Sequence, residues 1–212
     1  MDTGRYERRP IIYNDMTIYP IKISGNWNLG FALDKHTASS EYLGIDDYGH
    51  KQFDNIHTEI GEAVYQLKYK GNLSFINILT EVSANAINEL LLTEGTTLNC
   101  IIPVPPSDSY REKQPVFQVA KGIAEILHIS YDDNLLIKTA HTDQMKNVSV
   151  EKRAKKLKNA FSVPDTDLEY NNILLFDDLF QSGSTAVECV NALKLKKESV
   201  NVFLITMTKT RS

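Results

Sequence analysis

The chain predicts an α/β protein in which helices flank a mainly parallel sheet, preceded by a smaller β-rich segment. Three observations predict it. Apolar runs with few polar interruptions occur at 100–104, 173–176 and 200–207, as expected of strands covered on both faces. Stretches with apolar residues at helical spacing separate these runs, and such alternation builds a parallel sheet. Residues 1–57 have a different texture, with aromatic and β-branched runs broken by turn-forming residues.

Taken in order, runs at 17–23 and 30–33 read as short strands, with turns at Ser24-Gly25-Asn26 and Asp46-Asp47-Tyr48-Gly49. From Thr58 onward, Ile60, Val64 and Leu67, then Ile76, Leu79, Val82, Ile87 and Leu90, predict two helices broken at Gly71-Asn72. A strand is expected at 100–104, ending in Pro103, Pro105 and Pro106, then a helix over 116–127 and a strand at 135–137. Residues 149–158 predict a charged helix capped by Ser149. A strand at 173–176, an amphipathic helix at 186–195 and a strand at 200–207 complete the series. The division expected is a β-rich hood over 1–57 and a core over 58–212.

Composition narrows the function classes. The 212 residues are 42% hydrophobic and 24% charged, enough apolar material for a packed core. A net charge of -4 argues against coating nucleic acid by bulk electrostatics, though a local basic patch such as 152–158 leaves that contact open. The two cysteines, Cys100 and Cys189, stand apart in apolar runs, so no cysteine zinc site can be built and reduced core thiols are expected. No apolar stretch reaches the roughly 20 residues that cross a bilayer, and residues 1–10 lack a signal-peptide core. A cytoplasmic protein is the expectation.

In an open α/β sheet, ligands bind beyond the carboxyl ends of the strands. That rule selects residues 173–185, where an apolar strand delivers Asp177 and Asp178, followed by Gln181, Ser182, Gly183, Ser184 and Thr185 at the mouth of a helix. A helix start offers unpaired N–H groups and a positive dipole end for a phosphate. Gly183 permits close approach, and the hydroxyls of Ser182, Ser184 and Thr185 add donors. Carboxylates suit a vicinal diol rather than a phosphate. Together these features fit a ribose 5-phosphate. An Asp-Asp strand also occurs in P-loop ATPases, but the required Gly-x-x-x-x-Gly-Lys-Ser/Thr loop is missing from this chain. The remaining alternative is a capped loop with two solvated aspartates.

Residues 173–185 resemble the 5-phosphoribosyl-1-pyrophosphate (PRPP) signature of type I phosphoribosyltransferases. Residues 62–72, which contain Leu67-Lys68-Tyr69-Lys70-Gly71, and Ile101-Ile102-Pro103-Val104-Pro105 resemble the ComF-type branch. Residues 147–161, with Arg153, resemble its mobile loop. The resemblance spans about residues 59–207. The zinc-binding start of many ComF-type proteins is missing, and Arg111 alone matches an Arg-Gly-Phe-Asn-Gln stretch usual in them. A competence or DNA-uptake role is not carried over.

The resemblance implies a type I phosphoribosyltransferase fold, in which Asp177 and Asp178 hold the ribose hydroxyls and residues 181–185 hold the 5-phosphate. It implies transfer of phosphoribosyl to an unidentified nitrogen acceptor with loss of pyrophosphate, a reaction of nucleotide metabolism. Arg111, Ser107, Lys138 and Arg153 are the candidate pyrophosphate contacts, and Lys68 either reaches the site or caps its helix. Mg²⁺ is expected mainly on the ligand's own oxygens, with Asp177 or Asp178 as candidate protein contacts. Gln181 occupies a position that is an aspartate in 6-oxopurine salvage enzymes, and an amide cannot act as general base; hypoxanthine-guanine salvage is disfavoured. A homodimer is expected from the family. The alternative is a catalytically weak PRPP- or nucleotide-binding regulator working with a protein partner in DNA handling. Trp27 is expected to pack the hood, and the five histidines are expected at the surface or in the core.

Overall fold

The computed structural model describes residues 9–106, 115–139, 160–165 and 167–210. Its strands are β1 (Ile11–Tyr13), β2 (Met16–Ile18), β3 (Ile21–Lys22), β4 (Leu29–Lys35), β5 (Thr37–Ile45), β6 (Lys51–His57), β7 (Cys100–Pro103), β8 (Ser130–Tyr131), β9 (Ile137–Lys138), β10 (Phe161–Ser162), β11 (Asn172–Phe180) and β12 (Asn201–Lys209). The helices are α1 (Glu59–Tyr69), α2 (Phe75–Ile87), extended by a π-helical turn at Asn88–Leu92, α3 (Pro115–Leu127) and α4 (Ser184–Lys196).

A six-stranded sheet runs β3-β4-β12-β11-β7-β8, with every neighbouring pair parallel except β3 and β4. The apolar runs sit in its middle because both faces are covered. Leu174 and Phe176 of β11 pack on one side with Ile60 and Leu67 of α1, Leu79 of α2 and Ile123 of α3. Ile173 and Leu175, the alternate residues, pack on the other with Cys189, Val190 and Leu193 of α4. One strand thus supplies two cores through its period of two. Phe176 is fully buried, which contributes about 1.5–3 kcal/mol.

Local signals set the helix ends. Thr58 caps α1, its side chain accepting from the Gly61 N–H at 3.0 Å, with Glu59 and Glu62 in the first turn and Lys68 in the last. The expected break follows, with Gly71 at φ +67°.

Residues 1–57 divide among three settings, the first being the separate two-stranded pair β1–β2. Strands β3 and β4 belong to the central sheet, with β4 paired to β12 from Leu29↔Phe203 to Lys35↔Lys209. Strands β5 and β6 form a separate antiparallel hairpin, mostly exposed, around the expected turn at 46–49. There the Asp46 carboxylate accepts from the Tyr48 and His50 N–H groups at 3.0 and 2.8 Å.

The strand expected at 135–137 differs. The sheet strand after α3 is β8, which is only two residues long and carries no apolar run. Leu135 and Leu136 are buried just before β9, which pairs with β10 away from the central sheet. Burial of two leucines in a connecting segment imitated a strand. The helix expected at 149–158 lies outside the described residues. Among the described residues no helix is long and apolar enough to cross a membrane.

Candidate functional site

The topology places a switch point at the carboxyl edge of the sheet. The crossover from β7 through α3 leads to β8 on one side, whereas that from β11 through α4 leads to β12 on the other. Strands β7 and β11 are neighbours from which the chain departs in opposite directions, and α3 and α4 cover opposite faces. At such a switch point the loops diverge and leave room for a ligand. The pairing ends at Phe176↔Pro103 and the bond from the Val104 N–H to the Phe176 carbonyl, 2.8 Å. Beyond it β11 continues through Phe180, held by β12 alone among the described residues.

Asp177 and Asp178 lie in this overhang. Adjacent strand residues point to opposite faces, and their surroundings differ accordingly. Asp178 is buried and forms an ion pair with Lys68 of α1 through its Oδ2. Burial pulls the Lys68 ammonium down, but the adjacent Asp178 carboxylate more than offsets this and holds it above its ordinary value. Asp177 lies on the α4 face. Burial, then repulsion from Asp178, pushes its carboxyl well above the usual range, and its Oδ1 accepts from the Asp178 N–H at 2.8 Å.

The candidate cations divide the same way. The Cys189 thiol, raised mainly by burial, feels Asp177 as well as Lys138, which sets Lys138 on the Asp177 side. Burial lowers the Lys138 ammonium. Ser107, Arg111 and Arg153 lie outside the described residues. No cluster of three or more His, Cys, Asp or Glu side chains is arranged to hold a metal among the described residues.

The loop after β11 turns at Gly183, whose φ of +75° is the left-handed conformation glycine favours, and it forms the N-cap of α4 with no side-chain cap. The first-turn N–H groups are therefore directed toward the loop's mouth. The Ser182 and Ser184 hydroxyls lie 3.0 Å apart, and Thr185 follows within the first turn. Gln181 is exposed at the start of the loop.

The loop rests on Trp27. A Cβ on Gly183 would lie 2.9 Å from the Phe180 ring and 3.8 Å from Trp27. The Trp27 and Phe180 rings meet edge-on with centroids 6.1 Å apart, and the indole N–H donates to the Ile23 carbonyl at 3.0 Å. Asn26 Nδ2 donates to the Val187 carbonyl at 3.1 Å, and Lys194 Nζ donates to the Asn26 carbonyl at 2.7 Å. The segment before β4 thus buttresses α4.

Sequence reasoning missed a third group. His36 follows β4 at the carboxyl edge, and its Nδ1 lies 3.2 Å from the Thr208 hydroxyl of β12. Thr208 donates to the Asp178 carbonyl at 3.0 Å. The His36 ring lies 5.0 Å from that of His57, which lies 4.9 Å from Tyr65, which lies 5.4 Å from Tyr69. The rule that picked out Asp177 also applies to His36, since it follows the apolar run at 30–33.

A depression of about 490 Å³ is lined by residues including Asn99, Ser130 and Asn171. It opens at the amino ends of β7, β8 and β11, away from these groups.

No protein-family model matches the chain, and no curated protein matches it in sequence. Among solved structures it is similar to the adenine phosphoribosyltransferase of Leishmania donovani, with 12% identity over 90% of this chain and 74% of that one, at a TM-score of 0.45.

Proposed function

We propose that the protein binds PRPP at the β7–β11 switch point and transfers its phosphoribosyl group to a nitrogen acceptor. One observation carries the reading. The carboxylates of an overhanging strand are followed, five residues after Asp178, by a serine-flanked left-handed glycine that opens a helix with no side chain at its N-cap. The helix start suits the 5-phosphate, and the acidic overhang leads directly into the loop that precedes it. Residues 181–185 would hold the phosphate and Asp177 and Asp178 the sugar hydroxyls.

Attack on the ribose C1 would expel pyrophosphate, whose developing charge needs cations. Lys138, with Ser107, Arg111 and Arg153, would supply the protein's share. Lys68 would act through Asp178, fixing the position of that carboxylate. The protein's own acids fit poorly as a cation cage, since Asp178 is engaged by Lys68 and burial disfavours the charged form of Asp177. Mg²⁺ would therefore arrive on the ligand's oxygens and neutralise the leaving pyrophosphate.

The Lys68–Asp178 pair also favours a second reading, a PRPP-binding regulator with little turnover, because it leaves one oxygen of Asp178 engaged by Lys68. Calorimetry of PRPP with Mg²⁺, followed by a pyrophosphate-release screen, separates the two. Binding with release supports the transferase, and binding without release supports the regulator. Absence of binding, or unchanged binding after combined Asp177→Asn and Asp178→Asn substitution, refutes both.

A further inference from the structure

The carboxyl edge carries a titratable group that the transfer reading leaves without a role. His36, just after β4, Thr208 on β12 and Asp178 on β11 are joined across three adjacent strands by hydrogen bonds of 3.2 and 3.0 Å. Their directions follow from chemistry. The Asp178 carbonyl can only accept, so the single Thr208 hydroxyl proton points to it. The Thr208 oxygen must then accept from His36 Nδ1–H. Neutral His36 is thereby held as the Nδ1–H tautomer, with its lone pair on Nε2.

We infer that His36 Nε2 takes the proton from the acceptor nitrogen during transfer, and that the acceptor is a planar heterocycle bearing a ring N–H. This rests on the PRPP reading and specifies its acceptor side. The acceptor nitrogen forms the bond to C1 as the C1–O bond to pyrophosphate breaks, and pyrophosphate leaves with the electron pair. The acceptor's N–H proton passes to Nε2 and from the imidazolium to water. Gln181, in the phosphate loop, cannot titrate for this task.

The surroundings suit both halves of the inference. His36 is half-buried and neighbours His57 of β6, Lys68 and Glu62 of α1, and Asp178 of β11. Burial first, then His57 and Lys68, hold the imidazole below its ordinary value of 6.5 against the opposing pull of Asp178 and Glu62, so it is neutral at pH 7. His57 is itself held through Nδ1 by Glu62 at 2.7 Å. The rings of His36, His57, Tyr65 and Tyr69 run as a column from the sheet edge to Tyr69, which is exposed. The rings are tilted on one another by 36–50°, and such aromatic surface favours a flat heterocycle over an aliphatic amine.

The test combines a ring measurement with turnover. Histidine-ring ¹⁵N NMR of the full chain should show His36 at pH 7 as the neutral Nδ1–H tautomer. Pyrophosphate release from PRPP–Mg²⁺ should occur with at least one of adenine, uracil and benzimidazole, and not with ammonium or glycine. His36→Asn keeps a donor for Thr208 and removes Nε2. It should leave the PRPP Kd within about twofold and cut release about 100-fold or more. The wild type should lose activity on the acid side with an apparent pKa below 6.5, and this limb should vanish in H36N.

A His36 imidazolium or Nε2–H tautomer at pH 7, full turnover by H36N, or release with amines or no probe while PRPP binds would each overturn the inference. Wild-type protein that fails to bind PRPP refutes the function reading, and this inference with it.

Discussion

Replacing Lys68 by methionine keeps most of the packing stem on α1 and deletes the charge that faces Asp178. Lys68 Nζ pairs with Asp178 Oδ2, the two side chains being 31% and 10% exposed. Removing one member of a fully buried pair costs about 3–5 kcal/mol, because the other charge is left uncompensated. Lys68 is near one-third exposure, so water recovers part of that cost, and about 2–3 kcal/mol is the working figure. For a chain of this size each kcal/mol moves Tm by about 2–4 °C, which gives about 4–12 °C. The assay is a double-mutant cycle of Lys68→Met and Asp178→Asn by urea and thermal denaturation. The double variant should recover at least about 1 kcal/mol relative to the sum of the singles. The lysine is held above its ordinary 10.5, so its contribution is fully present below pH 10.5 and disappears as pH rises through the folded value. Lys68→Met should remove that alkaline slope. Strict additivity, or a Lys68→Met protein as stable as the parent, would refute the assignment of the pair.

Further outcomes follow from the same geometry. Asp177 has its folded pKa raised above 3.8, so the native state binds more protons and loses stability as pH rises from 3.8 through the folded value; Asp177→Asn should be more stabilising at pH 7 than at pH 4 in urea titrations, while weakening PRPP binding in calorimetry. Gly183→Ala forces a side chain into φ +75° with its Cβ 2.9 Å from the Phe180 ring, which should cost about 1–3 kcal/mol and weaken PRPP binding, with partial recovery on adding Phe180→Leu. Asn172 Nδ2 donates to Thr97 at 2.9 Å and its Oδ1 accepts from Asn201 at 2.8 Å; Asn172→Ala should cost about 0.5–1.5 kcal/mol by denaturation without changing PRPP affinity. Trp27, the single tryptophan, is buried beside Phe180 and Gly183, so its fluorescence should change on PRPP titration, and that change should be lost in the Asp177→Asn, Asp178→Asn protein.

The elements with strong periodicity were legible. Strands at Cys100–Pro103 and Asn172–Phe180 and helices at Pro115–Leu127 and Ser184–Lys196 lie where apolar runs or helical spacing put them. Short elements were not: β8 consists of Ser130 and Tyr131, whose apolar content is indistinguishable from a loop. The buried Leu135 and Leu136 misled for the opposite reason, since burial leaves the same mark on a connection as on a strand. At the candidate site, Asp177, Asp178 and Gly183 stood out because they are neighbours in the chain. His36 and Thr208 did not, because their relation spans 172 residues and arises from strand order.

Sequence alone determined the α/β layering, the glycine turn at 181–183 before a helix and the position of an acid pair toward the end of a core strand, because each depends on local spacing. Tertiary structure decided what those acids face. Alternation along β11 sends Asp178 to Lys68 and Asp177 under α4, and the neighbouring strands bring His36 to Thr208. Those relations depend on which strands lie side by side, and no run of adjacent residues encodes that order.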